Sequence, residues 1–495
     1  MKTKTYSKVA LVIMALAFFS SCNDLLKGSD ITINPNAPAP SQVTLTPLTT
    51  GTLVGVGMLM EDTDTRIAMM WGGQLAGQSR QHQGFQNYTV AASTFGWGNY
   101  YNTATNIRLI QKACASTNNT VQLGMAQVME ALVFTKLISL WGDAPYVEAF
   151  DLVNKPTPKY DGQLAIYNSL VTLLNTAYAN LKSGVGSIKG GDFIYGGSSS
   201  KWAAAAKTLQ ARLYLHLKNY PAAVTAAGLG IGSSANDMLM PHGTAYQVDY
   251  NSNFDFFDVN RPGDTSFDLP AYLPVFMCKD LTTGTYTKDN AKRNAKTDET
   301  GIYFHFFQYG AESANGLDPN TVDGMFVADA PHPWLTFYEN KLILAEALAR
   351  QAGSGVADAG AITALNSVRQ GLLTGTINGL TSGYSGLQYD DYVAADFAAG
   401  GVANPTTGPN AGKTTQQALL YEIAAEKFIV LLAQYEVFNE LRRLQVATPV
   451  VSLGIPIFNG TKLPARFIYP QNEINANPNT PNPAPDQFSK LPVFQ

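Results

Sequence analysis

Apolar residues recur three and four positions apart along several long stretches of the chain, and this spacing predicts helices. In QLGMAQVMEALVFTKLISLWG (122–142) the stripe is Met125, Val128, Leu132, Leu137 and Leu140. DGQLAIYNSLVTLLNTAYANL (161–181) repeats it at Leu164, Tyr167, Leu170, Leu174 and Tyr178, with Asp161 placed to cap the helix. SSSKWAAAAKTLQARLYLHLKN (198–219) runs through Tyr220-Pro221 into the Ala-rich AAVTAAGLGI. PWLTFYENKLILAEALARQ (333–351) is followed by Gly-Ser-Gly and then by VADAGAITALNSVRQ. Both read as helix, short turn, helix, with Ala and Leu placed loosely as in tetratricopeptide repeats, although no strict 34-residue period can be traced. The last strong pattern, Thr414 to Arg443, reads as one helix, and a Pro- and Asn-rich tail follows it to Gln495. The fold class expected is therefore mainly α, with long loops. The segment from Gly232 to Asp329 is too long for a structureless connection and should carry short strands or function.

The start of the chain breaks this periodicity. Lys2, Lys4 and Lys8 precede the apolar run VALVIMALAFF (Val9 to Phe19), and Ser20 and Ser21 lead into Cys22. A basic start, a short apolar run and small residues form an export signal, and the run is well short of the 18 or more residues of a membrane-spanning helix. Residues 1–21 are thus expected to be a signal peptide. A cysteine at the cleavage point is similar to a bacterial lipobox, in which the thiol is acylated, for instance with palmitate, so Cys22 is the expected lipid attachment residue. Polar, proline-rich residues 22–47 would form a lipidated tether, and 48–495 the folded domain.

Removal of residues 1–21 takes three lysines from the 33 basic residues and leaves 30 against 37 acidic, a net charge of −7. This argues against a nucleic acid partner. Cys114 and Cys278 remain, and one disulfide or two buried free thiols both fit. GPNAGKT (408–414) approaches a phosphate loop, yet the first glycine of that motif would fall on Thr407 and no buried strand precedes it. The five histidines lie apart, with no zinc spacing and no cofactor motif. Asp255 and Asp258 could act as an acid–base pair, which keeps an exported glycan hydrolase as an alternative. A protein-binding helical adaptor is another. DPNTVDG (318–324) has oxygen ligands suited to a structural calcium, without the distal Glu of the helix-loop-helix motif.

The stretch Trp71 to Tyr101 interleaves rings with Gln, Asn and Ser. Sugars present apolar C–H faces and hydroxyl rims, so their sites combine flat rings with amides and hydroxyls. Trp71, Gln78, Tyr88, Phe95 and Trp97 are the candidate ligand-binding residues; the bland alternative is that the rings are core, most directly for Trp97, which runs into a helical pattern.

Several segments together resemble the SusD/RagB group of outer-membrane nutrient-binding lipoproteins. They are FFSSC (18–22), LWGDAPYVEAF (140–150), KWAAAAKTLQARLYLHL (201–217), LILAEALAR (342–350) with NSVR (366–369), YEIAAEKFIVLLAQYEVFNELRR (421–443) and PARFIYPQNEINAN (464–477). Trp141 stands where that group commonly has Tyr, and Phe438-Asn439 where many members have Trp-Asp. The resemblance implies a SusD-like fold of tetratricopeptide-like helix pairs with long ligand-binding loops. It implies a non-enzymatic, lipid-anchored, cell-surface protein of the outer membrane that captures oligosaccharide or peptide for a SusC-like TonB-dependent transporter. On physical grounds the signature residues should be scaffold: Gly142, Asp143 and Pro145 turning a helix end, and Arg212, Glu346 and Arg369 pairing on helix faces.

Overall fold

The computed structural model describes residues 44–151, 153–309 and 316–495; the signal, Cys22 and nearly all of the tether lie outside these residues. The helices of seven or more residues in the described chain are α1 (Leu45–Met60), α2 (Thr63–Trp71), α3 (Arg80–Gln86), α4 (Gly98–Ser116), α5 (Thr120–Trp141), α6 (Gln163–Lys182), α7 (Ser199–His216), α8 (Tyr220–Ala227), α9 (Thr300–Phe306), α10 (Phe337–Gln351), α11 (Ala359–Leu373), α12 (Thr415–Val430) and α13 (Glu436–Leu444). Helix α1 starts at Leu45, inside the span read as tether.

Helix α5 is the spine. Nearly every residue of it is buried, against α4 and α6 on its flanks and α1 beyond. Gly124 permits the closest approach: a Cβ there would lie 2.7 Å from the Ala177 carbonyl of α6. Most polar groups that follow the apolar stripe inward are engaged, the buried Thr135 hydroxyl excepted. Lys136 donates to the Leu59 carbonyl, to Asp62 at 2.8 Å and to Thr65 at 2.7 Å, and Glu130 accepts from Arg108, Gln111 and Tyr146.

The turn into α5 and the turn into α8 share one construction. Asn118 (φ 50°) and Lys218 (φ 58°) occupy the left-handed region, and the next residue, Asn119 or Asn219, caps the new helix. The pairs α7/α8 and α10/α11 then stack, with Ala211, Ala223, Ala226 and Ala347 keeping α7, α8 and α10 close. These are the tetratricopeptide-like pairs expected from the Ala placement.

At the end of α5, Gly142 adopts φ 91° and Asp143 turns forward to accept the Gln163 N–H at 2.7 Å. Asp143 therefore caps α6. Asp161, the expected cap, instead accepts the Tyr146 and Val147 N–H groups and holds the turn after Pro145. Leu164 of the expected stripe is exposed and Ile166 is buried in its place.

The pattern read as one helix from Thr414 to Arg443 is two. Ala433 (φ 69°) breaks it, and α13 turns back. The reason is the buried charge it carries: along a straight helix Lys427 and Glu440 would stand roughly 20 Å apart, whereas their Nζ and Oε2 are 3.1 Å apart here.

The span 232–329 holds short strands, as expected. Five small antiparallel sheets occur among the described residues, including Met238–Met240 with His332–Leu335, Ala76–Gly77 with Thr265–Ser266, and Phe307–Tyr309 with Leu317–Pro319. Cys114 and Cys278 are free and buried. Burial pushes their thiols up to about 11 and about 12, so neither is a ready nucleophile.

Candidate functional site

Four of the five candidate ligand residues are core. Trp71, Tyr88, Phe95 and Trp97 are each 5% exposed or less. Trp71 donates its indole N–H to the Phe85 carbonyl at 2.9 Å and meets Phe438 and Phe467 edge to face. Phe95 stacks on Phe467 with centroids 4.5 Å apart, and Trp97 sits among Trp141, Tyr160 and Tyr469. These faces are covered by other rings, so the expectation that they form an open sugar platform is corrected. A loop with little secondary structure needs its own anchors, and rings spaced by Gln, Asn and Ser supply them.

Gln78 lies at the edge of this core. It is half-buried and donates to Ser266 Oγ at 2.8 Å, while its backbone N–H donates to the Asp264 carbonyl. Asp264 organises the loop around it: the buried carboxylate accepts from Ser79 Oγ at 2.8 Å, faces the Arg80 guanidinium at 3.1 Å, and stands 3.3 Å from His82 Nδ1. Burial holds His82 below its ordinary value. Arg80 itself projects outward, its side chain 56% exposed.

From Ser266 the next residue reaches a second group of rings. The Phe267 N–H donates to the Leu317 carbonyl, its ring packs on Phe307, and Leu317 lies opposite Tyr309 in the hairpin whose tip is outside the described residues. Tyr309 is 45% exposed and Tyr286 47%. The Tyr309 hydroxyl donates to Asp289, Lys288 Nζ lies 4.6 Å from its ring centroid, and Tyr303 donates to the other Asp289 oxygen at 3.3 Å. Partial burial and the bond to Asp289 keep the Tyr309 phenol above its usual range, so it stays a donor. Open tyrosine rings, a carboxylate and an ammonium thus meet around Asp289, and Gln78 and Arg80 belong to the neighbouring loop joined to them through Ser266 and Phe267. Such a set can stack on a sugar and bond its hydroxyls.

Tyr286, Lys288, Asp289 and Tyr309 were not legible as a site. Each tyrosine stands alone in its stretch, TGTYTKDN or FFQYG, and only the aperiodic length of 232–329 marked the region.

On the other side, Phe256 packs against His82 and carries the Arg66 guanidinium 4.2 Å above its ring. Arg66, Glu61 and His242 line a groove of 730 Å³. His242 Nε2 is 3.1 Å from Glu61; burial opposes the charge on His242, and the hydrogen bond and charge of Glu61 outweigh it and raise its value. Asp255 accepts from Tyr250 and Asn260, whereas Asp258 accepts from Thr321, so the two acids serve separate partners. In DPNTVDG, Asn320 Oδ1 accepts the N–H groups of Val322 and Asp323, and its Nδ2 donates to Asp323; this is a hydrogen-bonded turn with a donor where a cation would stand.

Many solved structures share this fold, among them the following three. One SusD/RagB family protein of Bacteroides thetaiotaomicron is 20% identical, with 88% of this chain and 95% of that chain covered and a TM-score of 0.62. A SusD homolog of Bacteroides fragilis is 18% identical over 91% and 99%, TM-score 0.63. A chitin-binding SusD homolog of Flavobacterium johnsoniae is 14% identical over 90% and 98%, TM-score 0.61. No curated protein matches. The family described as "Starch-binding associating with outer membrane" matches residues 38–470, and with that match and this architecture the chain belongs to the SusD-like family.

Proposed function

We propose that the protein is a non-enzymatic glycan-capture lipoprotein, held at the outer face of the outer membrane by acylated Cys22 and passing oligosaccharide to a SusC-like TonB-dependent transporter. The observation that carries the reading is the pair of open rings, Tyr286 and Tyr309, beside Asp289 and Lys288 on a rigidly stapled loop face. The family description and the chitin-binding relative support a sugar ligand. Open tyrosine faces suit sugar rings better than they suit an extended peptide, whose capture would draw on an exposed strand edge. Gln78 is assigned to the rim; Trp71, Tyr88, Phe95 and Trp97 are assigned to the support beneath it. The rival hydrolase reading needs paired acids, and Asp255 and Asp258 are each committed elsewhere.

Calorimetry of the purified protein against starch and chitin oligosaccharides, with product analysis of the same mixtures, tests this. Binding with intact ligand is the expected result; release of shorter sugars would overturn the non-enzymatic reading.

A further inference from the structure

The lysine of the GPNAGKT stretch does not cradle a nucleotide, but it does enter a cavity. Gly408 (φ 90°) turns the loop, Thr414 caps α12, and Lys413 between them lies half-buried over the Tyr421 ring, Nζ 4.9 Å from its centroid. The cavity measures 380 Å³, within the range of about 300–1,000 Å³ typical of small-molecule sites. Lys413, Lys279, Tyr272 and Tyr421 line it, and none of its lining residues is acidic.

Neither nearby carboxylate forms an ion pair with a lysine of the cavity, although the charge of Glu422 is felt at Lys413. Asp280 accepts three donors from its own turn, at Thr282 and Thr283. Glu422, below Tyr421, faces Arg293 and Tyr392. The Lys413 ammonium donates to the Pro409 carbonyl and to Asn410 Oδ1, leaving one of its three N–H groups. Lys279 has no ion-pair partner among the described residues. Tyr421 is 94% buried, its ring forms part of the cavity wall, and its hydroxyl has no hydrogen-bond partner among the described residues. Two cations and an unpartnered tyrosine hydroxyl at one cavity, in a protein of net negative charge, make a local site for an oxyanion.

We infer that this cavity binds an acidic sugar unit, its carboxylate between Lys413 and Lys279 and its hydroxyls on Tyr421 and Tyr272. The inference extends the glycan-capture reading by naming a class of ligand, uronate-bearing glycans, and places that contact in a cavity that adjoins the Tyr286–Tyr309 face, Lys279 being paired with Tyr286 across an antiparallel bridge.

The test is calorimetry of the purified protein with galacturonate, galactose, sulfate and phosphate at fixed ionic strength. Galacturonate is expected to bind and galactose is not. Y421F, which removes a hydroxyl with no partner in the fold, should melt as the parent does and weaken galacturonate by about tenfold; K279M should weaken it similarly. Y309A should leave galacturonate binding unchanged while weakening neutral oligosaccharides, which separates this assignment from the reading of the loop face. Equal binding of galactose, equal binding of sulfate or phosphate, or an unaffected Y421F would each overturn the acidic-sugar assignment.

Discussion

Glu346 on α10 and Arg443 on α13 meet through two hydrogen bonds, Nη1 to Oε1 at 2.7 Å and Nη2 to Oε2 at 2.6 Å, with both side chains sealed from solvent. Lys427 and Arg350 also donate to Glu346, at 2.7 and 2.6 Å. Burial alone would raise this carboxyl, and three cations instead hold it well below the usual range. The cluster ties α10, α12 and α13 together, so it is scaffold, as the sequence reading expected of Glu346. Arg212 and Arg369 act likewise, on Glu339 and Glu426.

Removing Glu346 leaves buried Arg350 without a carboxylate and Arg443 and Lys427 sharing Glu440 alone. E346A is expected to lose about 3–5 kcal/mol of stability, the usual consequence of breaking a buried pair from one side. Urea unfolding followed by circular dichroism measures it. A loss below about 1 kcal/mol would mean that the cluster is hydrated in solution.

Binding and packing separate at the rings. Y309A and Y286A should each weaken a bound neutral oligosaccharide by roughly tenfold, since stacking on an open ring contributes about 1–2 kcal/mol, with little change in melting temperature. W97A should do the reverse: Trp-to-Ala in a core costs about 3–5 kcal/mol, while the W97F protein that still folds keeps its affinity. Calorimetry paired with thermal melts reads both; loss of affinity in folded W97F would return Trp97 to the site.

Several buried carboxyls are raised by folding, three of them into the neutral range. Burial pushes Glu299 and Asp237 up to about 7, and burial with the neighbouring Asp62 charge takes Asp64 up to about 8. A carboxyl raised in the folded state contributes its full stability below its unfolded value and loses it as pH rises through the folded one. Stability should therefore decline between about pH 5 and pH 8, by up to about 1.4 kcal/mol per pH unit for each group in its titrating window. E299Q should flatten the slope between pH 5 and pH 7. Urea midpoints at pH 5, 6, 7 and 8 provide the check, and a profile rising over that range would contradict it.

Acylation is tested on the intact cell. Labelled palmitate should enter the parent and not C22S, and C22S should leave the membrane fraction. A C22S protein that stays fully attached would assign the anchor elsewhere.

The helix pairs were legible because α5, α6, α7, α8, α10 and α11 carry apolar residues three and four apart, a spacing written directly in the sequence even in α5, which is buried almost all round. Helices α1 and α2 were not read, because Thr, Gly and Asp interrupt any stripe there and tertiary contacts hold them. The break at Ala433 left no trace in the pattern, since apolar residues continue through it; what forces it is a charge cluster assembled from α10, α12 and α13. The rings were visible in the sequence, but not which way they face. Trp97 and Tyr309 are equally aromatic, and only the packing of Trp141 and Tyr469 on one and solvent on the other tells support from surface.

Helix α5 has one more consequence, and it arises before the chain folds. By length and hydropathy Thr120–Trp141 is the one described helix that could cross a membrane, although in the fold it is buried within protein. A chain exported through the translocon, as its signal predicts, presents this segment unfolded to a lateral exit into lipid. Glu130 sits at its middle, where a charged residue adds about 2.5–3.5 kcal/mol to insertion, and Lys136 lies closer to its C-terminal end. If the chain is exported as the signal-peptide reading proposes, the two charges that the folded core pairs with Arg108 and Asp62 would also disfavour lateral insertion of this segment into lipid.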